Sequence, residues 1–352
     1  MAEKKKGRFI GEYEIKGRPL GSGGMATVHL VTKDGKEFAA KVLHQHLMRD
    51  RRTVNRFKKE FEIGQKMKSS RAFVKMLELI KEEGCWTIIM EYVPGLTLDE
   101  VIKKLGPFSP KEATAYIYEL SKALGPFHMN NYVHRDLKPG NIIITPDGGV
   151  KIMDYGVTRD LDANMTKTGT AVGTPLYMAP EQICGSKSTD CRCDLYSLGL
   201  IYYRLLSRKD AHGMTNNFEF MELVEARMKK PVKKIKDFKD EQITAFIDKC
   251  LTPNPDGRFS NANEFCKAME KLSAYTTRRQ AEIKKMLKTI EKNVKKKPAK
   301  VKIDKTIEQK KPIGLLFKLV LISGIAAAIV IITAFSLMGS EKFFEAIKSF
   351  FN

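Results

Sequence analysis

The sequence predicts a two-lobed α+β protein, a small strand-rich lobe followed by a larger helical one, with one membrane-spanning helix near the C-terminus. Three observations carry this expectation. From residue 10 to about 90, short apolar runs alternate with glycine turns. From Ser109 onward the apolar spacing lengthens to that of helices. Leu319 to Met338, LVLISGIAAAIVIITAFSLM, is a run of 20 residues without a charge.

The strand-rich part reads in order. GEYEIKGRPL and TVHLVT are strands joined by the glycine turn GSGGMA. K-D-G-K at 33–36 is a hairpin turn of the Asp-Gly type, leading into the strand EFAAKVL. RRTVNRFKKEFEIGQKM has helical spacing, with Phe57, Phe61, Gly64 and Met67 along one side. The runs FVKMLELI and CWTIIMEYV follow. PKEATAYIYELSKALGPFHM is an amphipathic helix that opens with proline, whose fixed φ suits a first helical turn. No internal repeat is found.

Composition narrows the function classes. The chain has 352 residues, 43% of them hydrophobic, and a net charge of +21. That charge suggests an anionic partner. Residues 275–318 hold 15 Lys or Arg against 4 Asp or Glu, a net +11. This basic linker reads either as a lipid-attracted segment or as a solvated spacer that fixes membrane topology. No recognition motif accompanies the charge, so nucleic acid is not an expected partner. Cys191 and Cys193 form a lone C-x-C without a second ligand pair, which argues against zinc and for reduced thiols. MAEKKKGRF has no apolar run behind it and is not a secretory signal.

At about 1.5 Å per residue, 319–338 is long enough for a hydrocarbon core of roughly 30 Å; a buried core helix is the alternative. The lysines before it place residues 1–318 in the cytoplasm by the positive-inside rule. The expected location is a single-pass cell membrane protein whose C-terminus, residues 339–352, emerges on the far side. In that amphipathic tail Phe343, Phe344, Ile347, Phe350 and Phe351 fall near one helical face. Gly324 and Ala328 form a small-x-x-x-small pair suited to packing two spans as a homodimer.

Three stretches converge on phosphate chemistry. HRDLKPGN, 134–141, is followed by a short strand at 142–144, a turn, and a returning strand at 150–153 that ends in DYG. The hairpin brings Asn141 and Asp154 to its open end, where an amide and a carboxylate oxygen suit Mg²⁺. Asp136 lies one loop earlier, near enough to meet a substrate hydroxyl, with Lys138 as a point charge beside it. An acceptor for a proton, a cation for phosphate and an oxygen for a metal are the parts of a phosphoryl-transfer site. The second stretch is Gly21, Ser22, Gly23, Gly24, Met25 and Ala26. It joins two strands and not a strand to a helix, which disfavours a dinucleotide-binding turn. Its backbone N–H groups can approach a triphosphate closely because glycine has no side chain. The third is Lys41, which needs a carboxylate to hold it. Glu60 and Glu62 are both candidates.

In combination, GSGGMA, FAAK, HRDLKPGN, DYG and GTPLYMAPE make residues 10–274 resemble a eukaryotic-like serine/threonine protein kinase of the kind bacteria carry in their membranes. The resemblance implies an N-lobe over about 10–90, a hinge at 91–95 and a C-lobe over 96–274, with ATP in the cleft. It implies that Lys41 contacts the phosphates and pairs with Glu60, that Asp136 is the catalytic base, and that Lys138 contacts the transferred phosphate. It further implies that Asn141 and Asp154 hold Mg²⁺, with Mn²⁺ as an alternative. Gly21 to Ala26 and Val28 would cover the nucleotide, and backbone groups of Glu91 and Val93 would bind adenine. Asp154–Glu181 resembles an activation segment. Thr168, then Thr166, are its expected phosphosites, and Arg135 is placed to catch the phosphate. Thr174 would shape the substrate floor, Glu181 pair with Arg258, and Asp194 brace the catalytic loop. The departures are mild: Ala26 for a third glycine, Ala40 for Ile or Val, and Tyr155 for Phe, whose hydroxyl needs a partner if buried. GTPLYMAPE favours protein substrates. The rival readings are a nucleotide-binding scaffold and a small-molecule kinase.

Overall fold

A computed structural model describes residues 8–82, 84–156, 175–186, 189–215 and 218–275. The chain divides into two units, Met1–Lys296 and Lys297–Asn352, and all described residues belong to the first. Thr166, Thr168 and Thr174, the linker beyond 275, the stretch 319–338 and the tail lie outside the described residues. Among the described residues no helix is long and apolar enough to cross a membrane.

The first lobe is a six-stranded antiparallel sheet in the order β1-β2-β3-β4-β6-β5. Its strands are β1 (Phe9–Ile10), β2 (Tyr13–Ser22), β3 (Ala26–Lys33), β4 (Lys36–Leu43), β5 (Met76–Glu82) and β6 (Cys85–Glu91). The β3–β4 turn has Asp34 at φ 50° and Gly35 at φ 73°, the left-handed pair that an Asp-Gly hairpin requires. Strand periodicity sorts β4 into two faces. Ala39 and Leu43 join the main core, whereas Ala40 packs outward with Tyr13, Val31 and Ile89. Lys41 is thereby aimed to the inner side, among apolar neighbours.

Helix α1 (Arg51–Lys66) crosses that inner side, and Asp50 caps it by accepting from Arg52 N–H at 3.0 Å. Of the expected face, Phe57, Gly64 and Met67 are buried and Phe61 partly so, and Ile63 and the Glu60 carboxylate are buried with them. The apolar count missed this because a carboxylate occupies an inward position. On β6 the single tryptophan, Trp86, packs against the main core and lies under two cations, with Lys58 Nζ 4.1 Å and Lys81 Nζ 5.5 Å from the ring centroid.

The second lobe is helical: α2 (Leu98–Leu105), α3 (Pro110–Met129), α4 (Pro180–Ile183), α5 (Arg192–Ser207), α6 (Phe220–Lys229), α7 (Glu241–Cys250) and α8 (Ala262–Met269). Capping boxes start α2 at Thr97 with Glu100 and α3 at Ser109 with Glu112. Each cap contributes about 1 kcal/mol by satisfying orphan N–H groups. Buried α3 packs against α5 and α8, and α5 against α7. A small antiparallel sheet, β7 (Leu96–Thr97), β8 (Ile142–Ile144) and β9 (Val150–Ile152), lies at the lobe boundary. Strand β9 is tied to the first lobe, since Val74 N–H donates to Ile152 O at 2.9 Å and Ile152 N–H to Ala72 O at 2.8 Å.

Candidate active site

The site is assembled at the end of the β8–β9 hairpin. Ile142 pairs with Ile152, and Met153 N–H donates to Asn141 O at 2.9 Å, so Asn141 and the chain entering Asp154 are side by side. Asp154 itself adopts a left-handed backbone, φ 57°. Gly156, two residues on, runs so close to the 134–136 loop that a Cβ there would lie 2.3 Å from His134 O and 2.8 Å from Asp136 Cβ. Only glycine fits, and that close approach presses DYG against HRD.

Asp136, 9% exposed, receives two side-chain donors on Oδ2: Lys138 Nζ at 2.9 Å and Asn141 Nδ2 at 3.0 Å. Asn141 Nδ2 also donates to Asp136 O at 2.9 Å. With its NH₂ group so engaged, the Asn141 carbonyl oxygen is the atom it has for a hard cation.

Lys41 is buried, and its Nζ lies 2.7 Å from Glu60 Oε1 and 2.6 Å from Asp154 Oδ1. Of the two candidate partners, Glu60 is the one in contact, while Glu62 is exposed. Burial alone would lower the Lys41 ammonium, but the two carboxylates outweigh it and hold the pKa above the ordinary lysine value. Asp154 is enclosed by the cleft walls although 40% of its side-chain surface reaches the opening. Burial pushes its carboxyl up; the Lys41 cation more than offsets this, and the net direction is down.

A second layer fixes the loop. Asp194, in the first turn of α5 and fully buried, accepts from His134 N–H and Arg135 N–H, both at 2.8 Å, and from His128 Nε2 at 2.9 Å. The His134 ring is enclosed, and burial holds its pKa below the usual histidine value. Its Nε2 donates to Met153 O at 3.3 Å, and its Nδ1 accepts from Asp136 N–H at 3.3 Å. Gln182 donates to Arg135 O at 2.9 Å. Arg258 makes two parallel 2.8 Å bonds to Glu181, one to each carboxylate oxygen. Tyr155 is buried, and its hydroxyl donates to Val74 O at 3.1 Å. Its ring stacks on Phe73 at 5.3 Å, which stacks on Phe127 at 5.0 Å.

The glycine turn is tighter than expected, since Gly21 and Ser22 remain in β2 and only Gly23, Gly24 and Met25 turn the chain before Ala26. Gly23 N–H donates to Ala26 O at 2.9 Å. The strand ends are laced by Ser22 Oγ to Thr27 Oγ1 at 3.1 Å and Thr27 Oγ1 to His44 Nε2 at 3.0 Å. Val28 pairs opposite Lys41 across β3–β4, placing both behind the turn. At the far side of the cleft, the Glu91 carboxylate accepts from Lys75 N–H at 3.0 Å and from Lys151 Nζ. Val93 follows on the connection to the second lobe and packs against the main core.

Sequence reasoning did not single out His128, Gln182 or Lys151. Each acts on a functional loop through one hydrogen bond formed across a long sequence separation, and no local pattern marks it. Sequence marks Gly64 only as an apolar-face position, whereas in the structure Met76 and Tyr155 crowd α1 there.

Two lobes, a buried lysine between carboxylates and a carboxylate fixed by Lys138 and Asn141 form a donor and acceptor set suited to phosphoryl transfer. Residues 14–271 match the protein kinase domain model, and the chain belongs to that family. It is 35% identical over 203 residues to serine/threonine-protein kinase PrkC of Bacillus subtilis, covering 57% of this chain and 31% of that one. It is 33% identical over 262 residues to serine/threonine-protein kinase PknB of Mycolicibacterium smegmatis, covering 72% of this chain and 41% of the relative. PknB of Mycobacterium tuberculosis is 33% identical over 265 residues, with the same coverage, 72% and 41%. The chain therefore spans well under half the length of these relatives.

Proposed function

We propose that this protein is a membrane-anchored serine/threonine kinase that moves the γ-phosphate of ATP to hydroxyl groups of proteins, its own activation segment included. The observation that carries the reading is the shared bonding of Asp136, Lys138 and Asn141 beside the Lys41–Asp154 contact. Two donors on Oδ2 fix the rotation of the Asp136 carboxylate, so it can accept a hydroxyl proton without reorganising. Lys138 sits where it can meet the transferred phosphate. Lys41, held charged, supplies a fixed cation for the other phosphates.

The residues fit a magnesium–nucleotide complex. Among the described residues no cluster of three or more His, Cys, Asp or Glu suits a metal. Mg²⁺ nevertheless needs only one or two protein oxygens when phosphates and waters complete its shell. Asp154 and the Asn141 carbonyl oxygen would hold it. Bound there, Mg²⁺–ATP supplies the phosphoryl group and neutralises the charge that develops on it.

Anchoring would come from 319–338, with residues 1–318 on the cytoplasmic side and anionic lipid near the basic linker. Pairing of two spans through Gly324 and Ala328 would bring one activation segment to another copy's site.

The test is labelled ATP and Mg²⁺ with the full chain, beside Asp136→Asn, and phosphosite mapping by mass spectrometry. The expected result is label on Thr168 or Thr166 that drops about 10²–10⁴-fold in the variant, the usual contribution of a general base. ATP binding without label on the chain or on an acceptor protein would move the reading to a nucleotide-binding scaffold.

A further inference from the structure

The connection between α6 and α7 reads KPVKKIKDFKD over residues 230–240. Val232, Ile235 and Phe238 recur at a spacing of three and pack against the main core. Lys233 N–H donates to Ala211 O at 2.8 Å, and Phe238 N–H to Ile235 O at 3.3 Å. The segment is pinned by its apolar residues and leaves its lysines exposed, with the Lys233 side chain lying along Gly213. Lys229, Lys230, Lys233, Lys234, Lys236 and Lys239 are all exposed. No described carboxylate lies within ion-pair distance of any of the six. Asp240, next in sequence, caps α7 by accepting from Ile243 N–H at 3.0 Å. Met228, 46% exposed, borders the run. One exposed carboxylate, Asp237, falls inside the run against its six lysines, whereas in the basic stretch of α1 Asp50, Glu60 and Glu62 are interleaved and Lys58 is engaged on Trp86.

Six exposed lysines within residues 229–239 make this face strongly basic, a charge that an anionic counter-surface complements. The course of the chain indicates which surface. Ser273, near the end of the described residues, is fastened beside the run: its Oγ donates to Asp240 Oδ2 at 3.1 Å and its N–H to Gln242 Oε1 at 3.0 Å. Ser273, two residues before the last described one, thus lies beside the lysine run. The chain continues into the +11 segment 275–318 and then the uncharged stretch 319–338. We propose that the lysine face of residues 229–239 rests on the anionic surface of the bilayer in which the chain is anchored, and so orients the kinase domain on it. This inference rests on the membrane-anchored reading above. It adds a contact made by the folded domain itself, with lipid phosphate as its ligand.

The experiment uses the full chain reconstituted in vesicles of phosphatidylcholine, alone or mixed with phosphatidylglycerol. Lysine acetylation rates are read by mass spectrometry. Lysines 229–239 become at least about tenfold less reactive in the phosphatidylglycerol vesicles only, and high salt restores them, as surface attraction requires. Lys36, on the β3–β4 hairpin of the other lobe, stays reactive throughout. The variant Lys230→Gln, Lys233→Gln, Lys234→Gln, Lys236→Gln loses the protection of Lys229 and Lys239 and keeps its activity on a soluble acceptor in detergent. Equal reactivity in the two vesicle types overturns the proposal. Protection by polyglutamate but not by phosphatidylglycerol also overturns it and assigns the face to an acidic protein. Co-flotation with neutral vesicles in high salt reads the anchor separately. If it fails, the anchoring reading falls, and protection on adding phosphatidylglycerol vesicles still decides the lysine face.

Discussion

Asp194 holds Arg135 in a left-handed backbone. The Arg135 N–H donates to the Asp194 carboxylate at 2.8 Å while Arg135 sits at φ 62°, a conformation that costs a non-glycine residue on the order of 1–3 kcal/mol. The bracing from α5 offsets that cost, and the backbone so bent directs Asp136 into the cleft.

Asp194→Ala removes the acceptor for two buried N–H groups and for His128. Each unsatisfied donor costs about 1–3 kcal/mol. The variant is expected to lose several kcal/mol of unfolding free energy in denaturant titrations. Its turnover should fall more than its nucleotide affinity, because Lys41 and Glu60 are untouched. Equal losses in both would refute the bracing role.

Gly64→Ala sets helix propensity against space. Alanine in mid-helix is favoured by roughly 1 kcal/mol. Its Cβ, however, would lie 2.1 Å from Met76 Cγ and 2.9 Å from Met76 Cβ. Sterics are expected to win: α1 moves outward, Glu60 parts from Lys41, and activity falls at least tenfold. Adding Met76→Ala should recover much of that loss. An active single variant would show that the helix shifts without cost.

Arg258 and Glu181 are expected to couple strongly. Both are largely enclosed, with side-chain exposures of 0% and 13%. Removing either partner alone, as in Arg258→Met or Glu181→Gln, should cost about 3–5 kcal/mol, because the other charge stays buried. The double variant should cost much less than the sum, as read by a double-mutant cycle on thermal or denaturant unfolding. Additive losses would mean that the pair does not act as a unit.

Acid should destabilise the fold well above the carboxylate range. His212 is buried, and that burial, together with the Arg227 cation, holds its pKa at about 4. The unfolded chain, with a histidine near 6.5, binds a proton that the folded chain refuses. Stability therefore falls as pH drops from about 6.5 to about 4, by up to roughly 3 kcal/mol. His212→Asn should reduce this slope in melting temperature against pH, leaving the part due to the depressed His134. Asp154 and Asp194, both depressed, contribute fully above about 4, and that contribution is lost as pH falls further through their folded values. An unchanged slope in the variant would exclude His212 as the source.

Motifs whose residues are near neighbours in sequence were legible. HRDLKPGN and DYG are joined by a short hairpin, so turn and strand signals alone bring Asn141 and Asp154 together. The strand alternation of β4 likewise turns Lys41 inward. The choice between Glu60 and Glu62 was not legible, because an inward carboxylate breaks the apolar period that reveals a helix face. Arg227 was missed for the same reason. It is fully buried on α6, where its guanidinium meets Asp210 at 2.8 Å and Leu176 O at 2.6 Å. A charged residue in a helix is read as solvated until its partners from distant loops are known. Thr166, Thr168 and the 319–338 stretch, known from sequence pattern, fall outside the described residues.

The indole of Trp86 gives this protein a spectroscopic gauge. Lys58, whose ammonium lies over that ring, is two residues before Glu60 on the same helix. Any swing of α1 that parts Glu60 from Lys41 also lifts a cation from the chain's sole strong fluorophore. Emission intensity and wavelength then follow the helix directly, so the poise of Lys41 can be watched in unlabelled protein, in real time, as nucleotide is added.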